Sequence, residues 1–161
     1  MQIRRAQYYD IDHIMDIYDL AKQYMRANGN WAQWVNGYPN KDLLIQDIEK
    51  ERCYVCEIND TLEAVFVFIY GEDETYEKIE NGNWLNNNKY ATIHRIASSG
   101  RVKGIANACF DWCKNQHNNL RADTHADNKI MQHVLEKNSF IECGTIYVQD
   151  GTPRIAYQFS G

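Results

Sequence analysis

The segment Leu62–Tyr70 constrains the fold more than any other part of the sequence. Apart from Glu63, every residue in it is apolar, so both of the faces that a strand would present are apolar. Strands of this kind are buried on both sides and lie in the middle of a sheet. We therefore predict a central strand over residues 61–70, with the remaining elements arranged around it.

The spacing of apolar residues elsewhere predicts helices and further strands. Asp10 and Asn40 are predicted N-caps of the first two helices, and Asn138 is predicted to close the fourth in the left-handed conformation. Asp150-Gly151 predicts a two-residue hairpin turn near the C-terminus. The other strands are predicted at 2–6, 52–58, 90–97, 120–124 and on both sides of that turn. The helices are predicted from Asp10 to Asn28, after Asn40, over about 102–117 and over about 128–137.

This element order, β-α-α-β-β-β-α-β-α-β-β, inserts helices into runs of antiparallel strands and predicts an α+β fold. The chain has 161 residues, which suits one hydrophobic core. We expect a single domain over residues 1–161. Its mixed, mainly antiparallel sheet should have about six to seven strands, with about four helices.

Composition and charge exclude several classes of protein. No apolar run approaches the ~20 residues of a membrane-spanning helix, and the first residues lack the apolar stretch of a signal peptide. The net charge of −5 argues against a basic surface for nucleic acid. Five cysteines, odd in number and irregularly spaced, indicate reduced thiols. We expect a cytoplasmic protein without membrane or nucleic-acid partners.

One local segment departs from this acidic average. No acidic residue occurs between Glu80 and Asp111. The same stretch contains four basic residues, namely Lys89, Arg95, Arg101 and Lys103. A basic segment inside an acidic protein suggests a site for a small anion.

The anion site is predicted at the strand-to-helix turn 98–106. Small residues there allow backbone N–H groups to approach a ligand, and the N-terminus of a helix presents unpaired N–H groups and partial positive charge. Such an end suits phosphate. A P-loop is excluded because Ile105 and Ala106 follow Gly104, and a Rossmann turn is excluded because only Gly100 and Gly104 are present.

The turn resembles the cofactor motif of the GNAT superfamily of N-acetyltransferases, Arg/Gln-x-x-Gly-x-Gly/Ala. The matching residues are Arg101, Val102, Lys103, Gly104, Ile105 and Ala106. The later Asn128 and the stretch Glu136–Phe140 are also similar to the family pattern, so the resemblance covers essentially the whole chain. The segments 31–39 and 94–99 resemble a bacterial subgroup of that family.

The resemblance implies transfer of an acetyl group from acetyl-CoA to a primary amine of a small molecule or peptide, by direct attack in a ternary complex. It implies that acetyl-CoA lies between the strands 90–97 and 120–124. The pyrophosphate would bind the N–H groups of residues 101–106, and Asn128 would fix the end of the pantetheine arm. The strand residues implied to contact that arm are Ile96, Ala97 and Ser98. No metal is expected.

Two positions depart from the family pattern. Leu135 stands where many members have a tyrosine that protonates the leaving thiolate, and Ser139 stands where glycine is usual. The first departure leaves the general acid unassigned. It also keeps open the alternative of a catalytically silent CoA-binding or sensory domain. A third reading is a non-enzymatic module whose basic turn binds another anion.

Catalysis would need a base for the ammonium proton. His94, on the strand beside the implied thioester, is the first candidate, and His125 is the second. Tyr147 and Tyr157 are candidate proton donors to the thiolate. Each of these four residues also has a purely structural interpretation in a strand or in the core.

Acceptor recognition is assigned to aromatic residues and an acidic run. Trp31, Trp34 and Tyr38 are predicted to form a wall of the acceptor pocket. Glu72 and Asp73 belong to an acidic run and would favour a small cationic amine. Family members often dimerise, so a homodimer stays open, although no interface is evident in the sequence.

Two other patterns resemble metal or redox sites. Cys53 and Cys56 have C-x-x-C spacing but fall in a predicted strand without a second such pair. The run Asp123–Asp127 contains three residue types that can ligate a metal, but their spacing fits no standard metal site. Neither pattern is assigned a metal.

Overall fold

The computed structural model describes all residues, 1–161. Seven strands form one sheet in the order β1-β2-β3-β4-β5-β7-β6. The strands are β1 Gln2–Arg5, β2 Cys53–Ile58, β3 Thr61–Tyr70, β4 Ala91–Ser98, β5 Asn119–Thr124, β6 Ile141–Tyr147 and β7 Pro153–Ser160. The helices are α1 Ile11–Ala27, α2 Lys41–Glu49, α3 Ile105–Gln116 and α4 Lys129–Lys137. The predicted α+β class and element order are confirmed, with two short 3₁₀ turns added at Tyr8–Asp10 and Glu74–Tyr76.

The sheet is mixed because one pair of neighbouring strands is parallel. β4 and β5 run in the same direction, and their pairing is confined to Ala91 with Leu120 and Thr92 with Arg121. Every other neighbouring pair is antiparallel. Beyond Thr92 the two strands separate, so the sheet is split in its middle and one edge of β4 has no strand partner over residues 93–98.

A β-bulge lies in β4 beside this split. His94 pairs with Val67 and Ala97 pairs with Val65, so two residues of β4, Arg95 and Ile96, stand opposite one residue of β3. Arg95 has φ of 47°, which is the left-handed conformation. Bulges redirect side chains and are frequent beside active sites.

The predicted central strand, β3, contributes to cores on both faces of the sheet. Val65 packs with the α1 and α2 side chains, among them Ile14, Tyr18 and Leu44. Its neighbour Phe66 packs on the other face. The partners of Phe66 there include Cys109 and Phe110 of α3, and Leu135 of α4. Each face of the sheet is therefore covered by its own packed layer of helices, α1 and α2 on one face and α3 and α4 on the other.

Four of the five cysteines are packing residues of these cores. All five are free and buried. Cys53 belongs to the core under α1 and α2, whereas Cys56 belongs to the core under α3. The two cysteines of the C-x-x-C pair therefore lie on opposite faces of the sheet and do not converge on one site.

Asn40 caps α2 as predicted, since its side chain accepts a hydrogen bond from the Leu43 N–H at 2.8 Å. Asp10 stands at the predicted N-cap position of α1, but it has helical backbone angles and its side chain makes no cap hydrogen bond to that helix. Its carboxylate instead accepts from the Gln7 N–H and from Arg4, 2.8 Å away in each case, because a buried acid is stabilised by a charged partner.

Three further local predictions need correction. α3 begins at Ile105 rather than at 102, because Gly104 has φ of 75° and interrupts helical geometry. Asn138 follows the last residue of α4 as predicted, but its φ is −92°, and the left-handed residue is Ser139 at 70°. The hairpin connection spans residues 148–152 and is closed by a bond from the Val148 N–H to the Thr152 carbonyl, so it is longer than two residues. Gly151 in it has φ of 84°.

None of the four helices combines the length and the apolar character needed to cross a membrane.

Candidate active site

The split between β4 and β5 opens into a cavity of about 760 Å³. Its walls come from the segment between α1 and α2, from β4 and β5, and from the hairpin connection 148–152. A second cavity of about 140 Å³ lies along residues 96–98 of β4 and the start of α4. Ile96, Asn128 and Met131 line both cavities, so the two form consecutive parts of one cleft.

The turn between β4 and α3 presents a row of unpaired backbone donors. The six N–H groups of residues 102–107 donate no hydrogen bond within the chain. Gly100 and Gly104 both have positive φ, which lets the turn expose these groups in succession. Consecutive free N–H groups at a helix N-terminus are suited to a phosphate or pyrophosphate.

The two basic residues of this turn have different surroundings. The Arg101 Nε atom lies 3.2 Å from a carboxylate oxygen of Glu63, and the Arg101 N–H donates to the Ser99 hydroxyl. Lys103 is exposed and makes no ion pair. The cationic side chain that stays free at the anion site is therefore Lys103, while Arg101 fastens the turn to β3.

His94 lies in the large cavity in contact with a carboxylate. Its Nε2 atom is 3.0 Å from Oδ2 of Asp73. Oδ1 of Asp73 accepts from both the N–H and the hydroxyl of Thr75. Burial raises the pKa of Asp73, but the hydrogen bonds from His94 and Thr75 outweigh it and lower that pKa to about 2. Asp73 is thus an anion that orients the His94 ring.

A second carboxylate lies nearby on β5. The hydroxyl of Tyr76 donates to Oδ2 of Asp123 at 2.6 Å, and the rings of Tyr76 and His94 are 6.2 Å apart. Burial and the Asp123 charge raise the pKa of Tyr76, which therefore stays protonated as a donor. Asp73, His94 and Asp123 line the cavity, and the buried Tyr76 packs beside His94 and bonds to Asp123.

Arg95, the bulge residue, belongs to a separate ionic group. It donates two hydrogen bonds to the carboxylate of Asp47, at 2.8 and 3.0 Å, and one to the hydroxyl of Tyr38 at 3.1 Å. Arg52 donates to the same Asp47 carboxylate at 2.7 Å. Asp47 is completely buried. Burial acts to lower the pKa of Arg95, but Tyr38 and Asp47 outweigh it and raise that pKa.

Asn128 joins the two sides of the cleft. Its side-chain oxygen accepts from the Met131 N–H and caps α4, and its amide nitrogen donates to Oε1 of Gln33 at 3.1 Å. Gln33 belongs to the segment between α1 and α2. The junction of β5 with α4 is thereby tied to the segment that covers the cleft.

The structure brings many of the proposed site residues together. The large cavity is lined by His94, His125, Trp34, Tyr38, Ile96 and Asn128, and also by Leu135, the residue at the usual tyrosine position. Ala97, Ser98 and Ala106 line the small cavity. The assignment of these roles stays a prediction.

Nine of the proposed residues lie outside both linings, and five of them are Arg101–Ile105 of the turn described above. Trp31 is 66 % exposed, and Glu72 is exposed next to the cavity residue Asp73. The Tyr147 hydroxyl donates to Glu80 at 3.1 Å on the surface. Tyr157 is fully buried in the core, and burial raises its pKa to about 12.

Several cavity residues were not assigned a site role by sequence reasoning, namely Arg52, Arg95, Asp123 and Gln33. A signal was available for Arg95, because a charged residue within the strand 90–97 needs a buried partner. No local signal marked Gln33, whose contact with Asn128 spans 95 residues.

Comparison with known proteins identifies the fold and the family. No protein-family model and no curated protein matches the sequence. An acetyltransferase of the GNAT family from Streptococcus agalactiae 2603 has 35 % identity and a TM-score of 0.90, with 99 % of this chain and 95 % of that chain covered.

Two more distant structures share the fold alone. A GNAT-family acetyltransferase from Listeria monocytogenes has 17 % identity and a TM-score of 0.71, covering 98 % of this chain and 92 % of that one. A ribosomal-protein-alanine N-acetyltransferase from Brucella melitensis has 17 % identity and a TM-score of 0.64, with full coverage of both chains. The split sheet and the unpaired N–H groups around Gly104 agree with the identity to the streptococcal protein. The chain belongs to the GNAT family of acetyltransferases.

Proposed function

We propose that residues 1–161 form one N-acetyltransferase domain that moves an acetyl group from acetyl-CoA to a primary amine. The observation that carries this proposal is the His94–Asp73 pair, which lies in the large cavity at the split of the sheet. A family in which acetyl transfer is established supports the reaction class. The assignment of an amine as the acceptor rests on His94, which the cavity provides as a base.

The residues of the cleft fit acetyl-CoA as a co-substrate. The N–H groups of residues 102–107 suit its pyrophosphate, with Lys103 beside them. The unpartnered edge of β4 at residues 96–98 lines the small cavity and offers backbone groups to the amides of the pantetheine arm. The arm would then lead from the turn toward the large cavity, where the thioester meets the acceptor.

The His94 imidazole is the proposed base. When Nε2 carries its proton and donates it to Asp73, Nδ1 is left as an acceptor for a proton of the attacking amine. The amine nitrogen forms a bond to the acetyl carbon, the bond from that carbon to sulfur breaks, and CoA leaves as a thiolate. His94 holds the proton lost by the amine, and the thiolate takes a proton from water.

Much of the rate enhancement would come from placement. Holding an amine and a thioester in attacking geometry can contribute roughly 7–11 kcal/mol.

Leu135 is 1 % exposed and apolar, so it supplies no proton at the usual tyrosine position. Among the residues that line the large cavity, the only tyrosine is Tyr38, whose hydroxyl accepts a hydrogen bond from Arg95.

The test is release of free thiol from acetyl-CoA in the presence of amino acids, polyamines, aminoglycosides and short peptides. We expect release that depends on an amine and that falls at least 100-fold in His94→Ala, since a positioned base contributes about 10²–10⁴. His13→Ala, which removes an exposed histidine outside both cavities, is the matched control. Binding of acetyl-CoA without release for any amine would overturn the proposal and favour a silent CoA-binding domain.

A further inference from the structure

Asp150 and Arg154 line the large cavity at the hairpin, where both bond to Thr152. The other Asp and Arg residues of the lining fall into two groups, which we call the basic pole and the acidic pole. The basic pole is Arg52 and Arg95, and the acidic pole is Asp73 and Asp123. Each pole is held together by its own hydrogen bonds, and no hydrogen bond joins one pole to the other. The lining is therefore bipolar rather than uniformly acidic.

The basic pole retains both charge and donors. Two guanidinium groups share one carboxylate, that of Asp47, so the group carries a net charge of +1. The terminal nitrogens of Arg52 donate no hydrogen bond within the chain, since only its Nε is used. Nε of Arg95 is also buried without a partner. Guanidinium donors of this kind form strong bonds with carboxylates.

The acidic pole retains acceptor capacity. Oδ2 of Asp123 accepts from Tyr76, while Oδ1 accepts from no group of the chain. Asp73 keeps its negative charge because its pKa is lowered to about 2. An ammonium group would find two carboxylates here, with the proposed base His94 between the segments that carry them.

The bulge in β4 sets the spacing of the two poles. His94 and Arg95 are consecutive residues, so their Cα atoms are about 3.8 Å apart. Both side chains nevertheless line the same cavity, one bonded to Asp73 and the other to Asp47. The amine side and the anion side of the cavity are thus within the reach of one small molecule.

We propose that the acceptor is a small molecule with both a primary amine and a carboxylate, that is, an amino acid or a close relative. This inference rests on the proposed function. Its carboxylate would bind Arg52 and Arg95, and its amine would lie beside Asp73 and His94. Polyamines and aminoglycosides lack an anionic group and would face the basic pole with like charge, which disfavours them.

The experiment measures kcat/KM by thiol release for amino acids and for their α-carboxamides, which keep the amine and the side chain but lack the anion. Amidation lowers the pKa of the neighbouring amine, so the carboxamide has more of the reactive free amine. A preference for the acid therefore cannot come from amine reactivity. We expect kcat/KM to be at least 10-fold higher for the free acid.

Arg52→Gln tests whether the basic pole causes this preference. We expect the acid-to-amide ratio to fall close to one, mainly through a higher KM for the acid, while Arg52→Lys restores part of it. Lys41→Gln removes an exposed positive charge outside the cavity and should leave the ratio unchanged. The ratio in the unmodified protein decides the matter if Arg52→Gln fails to fold.

The outcomes separate the two proposals. Carboxamides or simple amines acetylated as well as free amino acids would overturn the acceptor assignment and leave N-acetyl transfer standing. If the acid-to-amide ratio is unchanged in folded Arg52→Gln, the basic pole does not cause the preference for the acid. That result would also overturn the acceptor assignment. Absence of thiol release with every amine would overturn the proposed function, and this inference with it.

Discussion

Nε2 of His94, in the edge of β4 that faces the split, lies 3.0 Å from Oδ2 of Asp73, in the segment that follows β3. The contact joins a histidine in the cavity to an anion that Thr75 holds in place by two further bonds. The carboxylate selects the ring orientation and favours the tautomer with the proton on Nε2. His94 thereby presents Nδ1 as the free nitrogen.

Asp73→Asn should impair catalysis through His94. We expect kcat to fall at least 10-fold, because an amide can bind either tautomer of the ring. The fall in kcat should persist across the pH range in which the unmodified enzyme is active, because it arises from the lost orientation of the ring. The measurement is thiol release from pH 5 to pH 9.

Glu72→Gln is the matched control for Asp73→Asn. Glu72 is the adjacent acid, is exposed, and lies outside the cavity lining. It should leave both kcat and the pH profile unchanged. A fall in acceptor affinity for Glu72→Gln would support the sequence-based assignment of Glu72 to the acceptor site. Equal pH profiles for the two variants would argue against Asp73 as a positioning residue.

The low pKa of Asp73 also predicts how stability depends on pH. A carboxyl whose pKa is lower in the folded state stabilises the fold above its unfolded pKa, near 3.8, and loses that contribution as the pH falls toward about 2. The shift corresponds to about 2 kcal/mol. We expect the free energy of unfolding of Asp73→Asn to be lower than that of the unmodified protein at pH 6, with the difference shrinking by pH 3.

Urea denaturation at pH 6 and pH 3 measures this difference, with Glu72→Gln again as the control. A gap between Asp73→Asn and the unmodified protein that stays constant from pH 6 to pH 3 would contradict the assignment of the lowered pKa to Asp73.

Removing the carboxylate of Asp47 should destabilise the fold strongly. Asp47→Ala leaves Arg95, whose side chain is 11 % exposed, without its main partner. Loss of one member of a buried ion pair costs about 3–5 kcal/mol. Thermal or urea unfolding measures the effect. Asp42→Ala, an exposed acid on the same helix without an ion pair, should cost less than about 1 kcal/mol.

A loss below about 1 kcal/mol in Asp47→Ala would mean that the Arg95–Asp47 contact does not hold the bulge in place. The double variant Asp47→Leu with Arg95→Leu separates charge from packing. It should recover part of the stability, because it removes the more deeply buried guanidinium, that of Arg95, together with its carboxylate and leaves only Arg52 without a partner.

Local patterns in the sequence were sufficient to predict the helices and strands of this fold. The apolar run of β3, the Asn40 cap and the helical spacing of α1 and α3 depend on neighbouring residues, and each is present in the structure. The boundaries that were wrong depend on single backbone angles. Asn138 and Ser139 are both compatible with a helix end, and their neighbours do not decide which takes the positive φ.

The candidate site depends on long-range contacts, and these could not be predicted from residue patterns. Arg95 adopts a positive φ that is unusual for arginine, because Asp47, 48 residues earlier, holds its side chain. Arg101 belongs to the basic segment of the sequence, but Glu63, 38 residues earlier, pairs with its side chain. The implied position of the cofactor cleft came from the family resemblance, because nothing local marks where β4 and β5 separate.

Gly104→Glu should abolish the anion site while preserving the fold. Gly104 has φ of 75°, and an added Cβ would meet no atom within 4 Å, so the substitution strains the backbone without a steric clash. The new carboxylate would stand among the unpaired N–H groups of residues 102–107 and compete with the pyrophosphate. We expect the Kd for acetyl-CoA to rise at least 100-fold, measured by isothermal titration calorimetry.

Gly71→Glu provides the matched control for Gly104→Glu. Gly71 has φ of 101°, is equally free of close contacts and lies outside both cavity linings. Its N–H donates to the Tyr90 carbonyl just before β4, whereas the turn follows the other end of that strand, roughly 20 Å away at ~3.3 Å per residue. The variant introduces a similar strain and the same charge, so its acetyl-CoA affinity should stay within about 2-fold of the unmodified protein, given that a charge more than a Debye length of ~8 Å away is largely screened. Equal weakening in the two variants would attribute the loss to general charge or misfolding. Unchanged affinity in folded Gly104→Glu would exclude the turn as the pyrophosphate site, because a carboxylate among those N–H groups has to displace a bound phosphate.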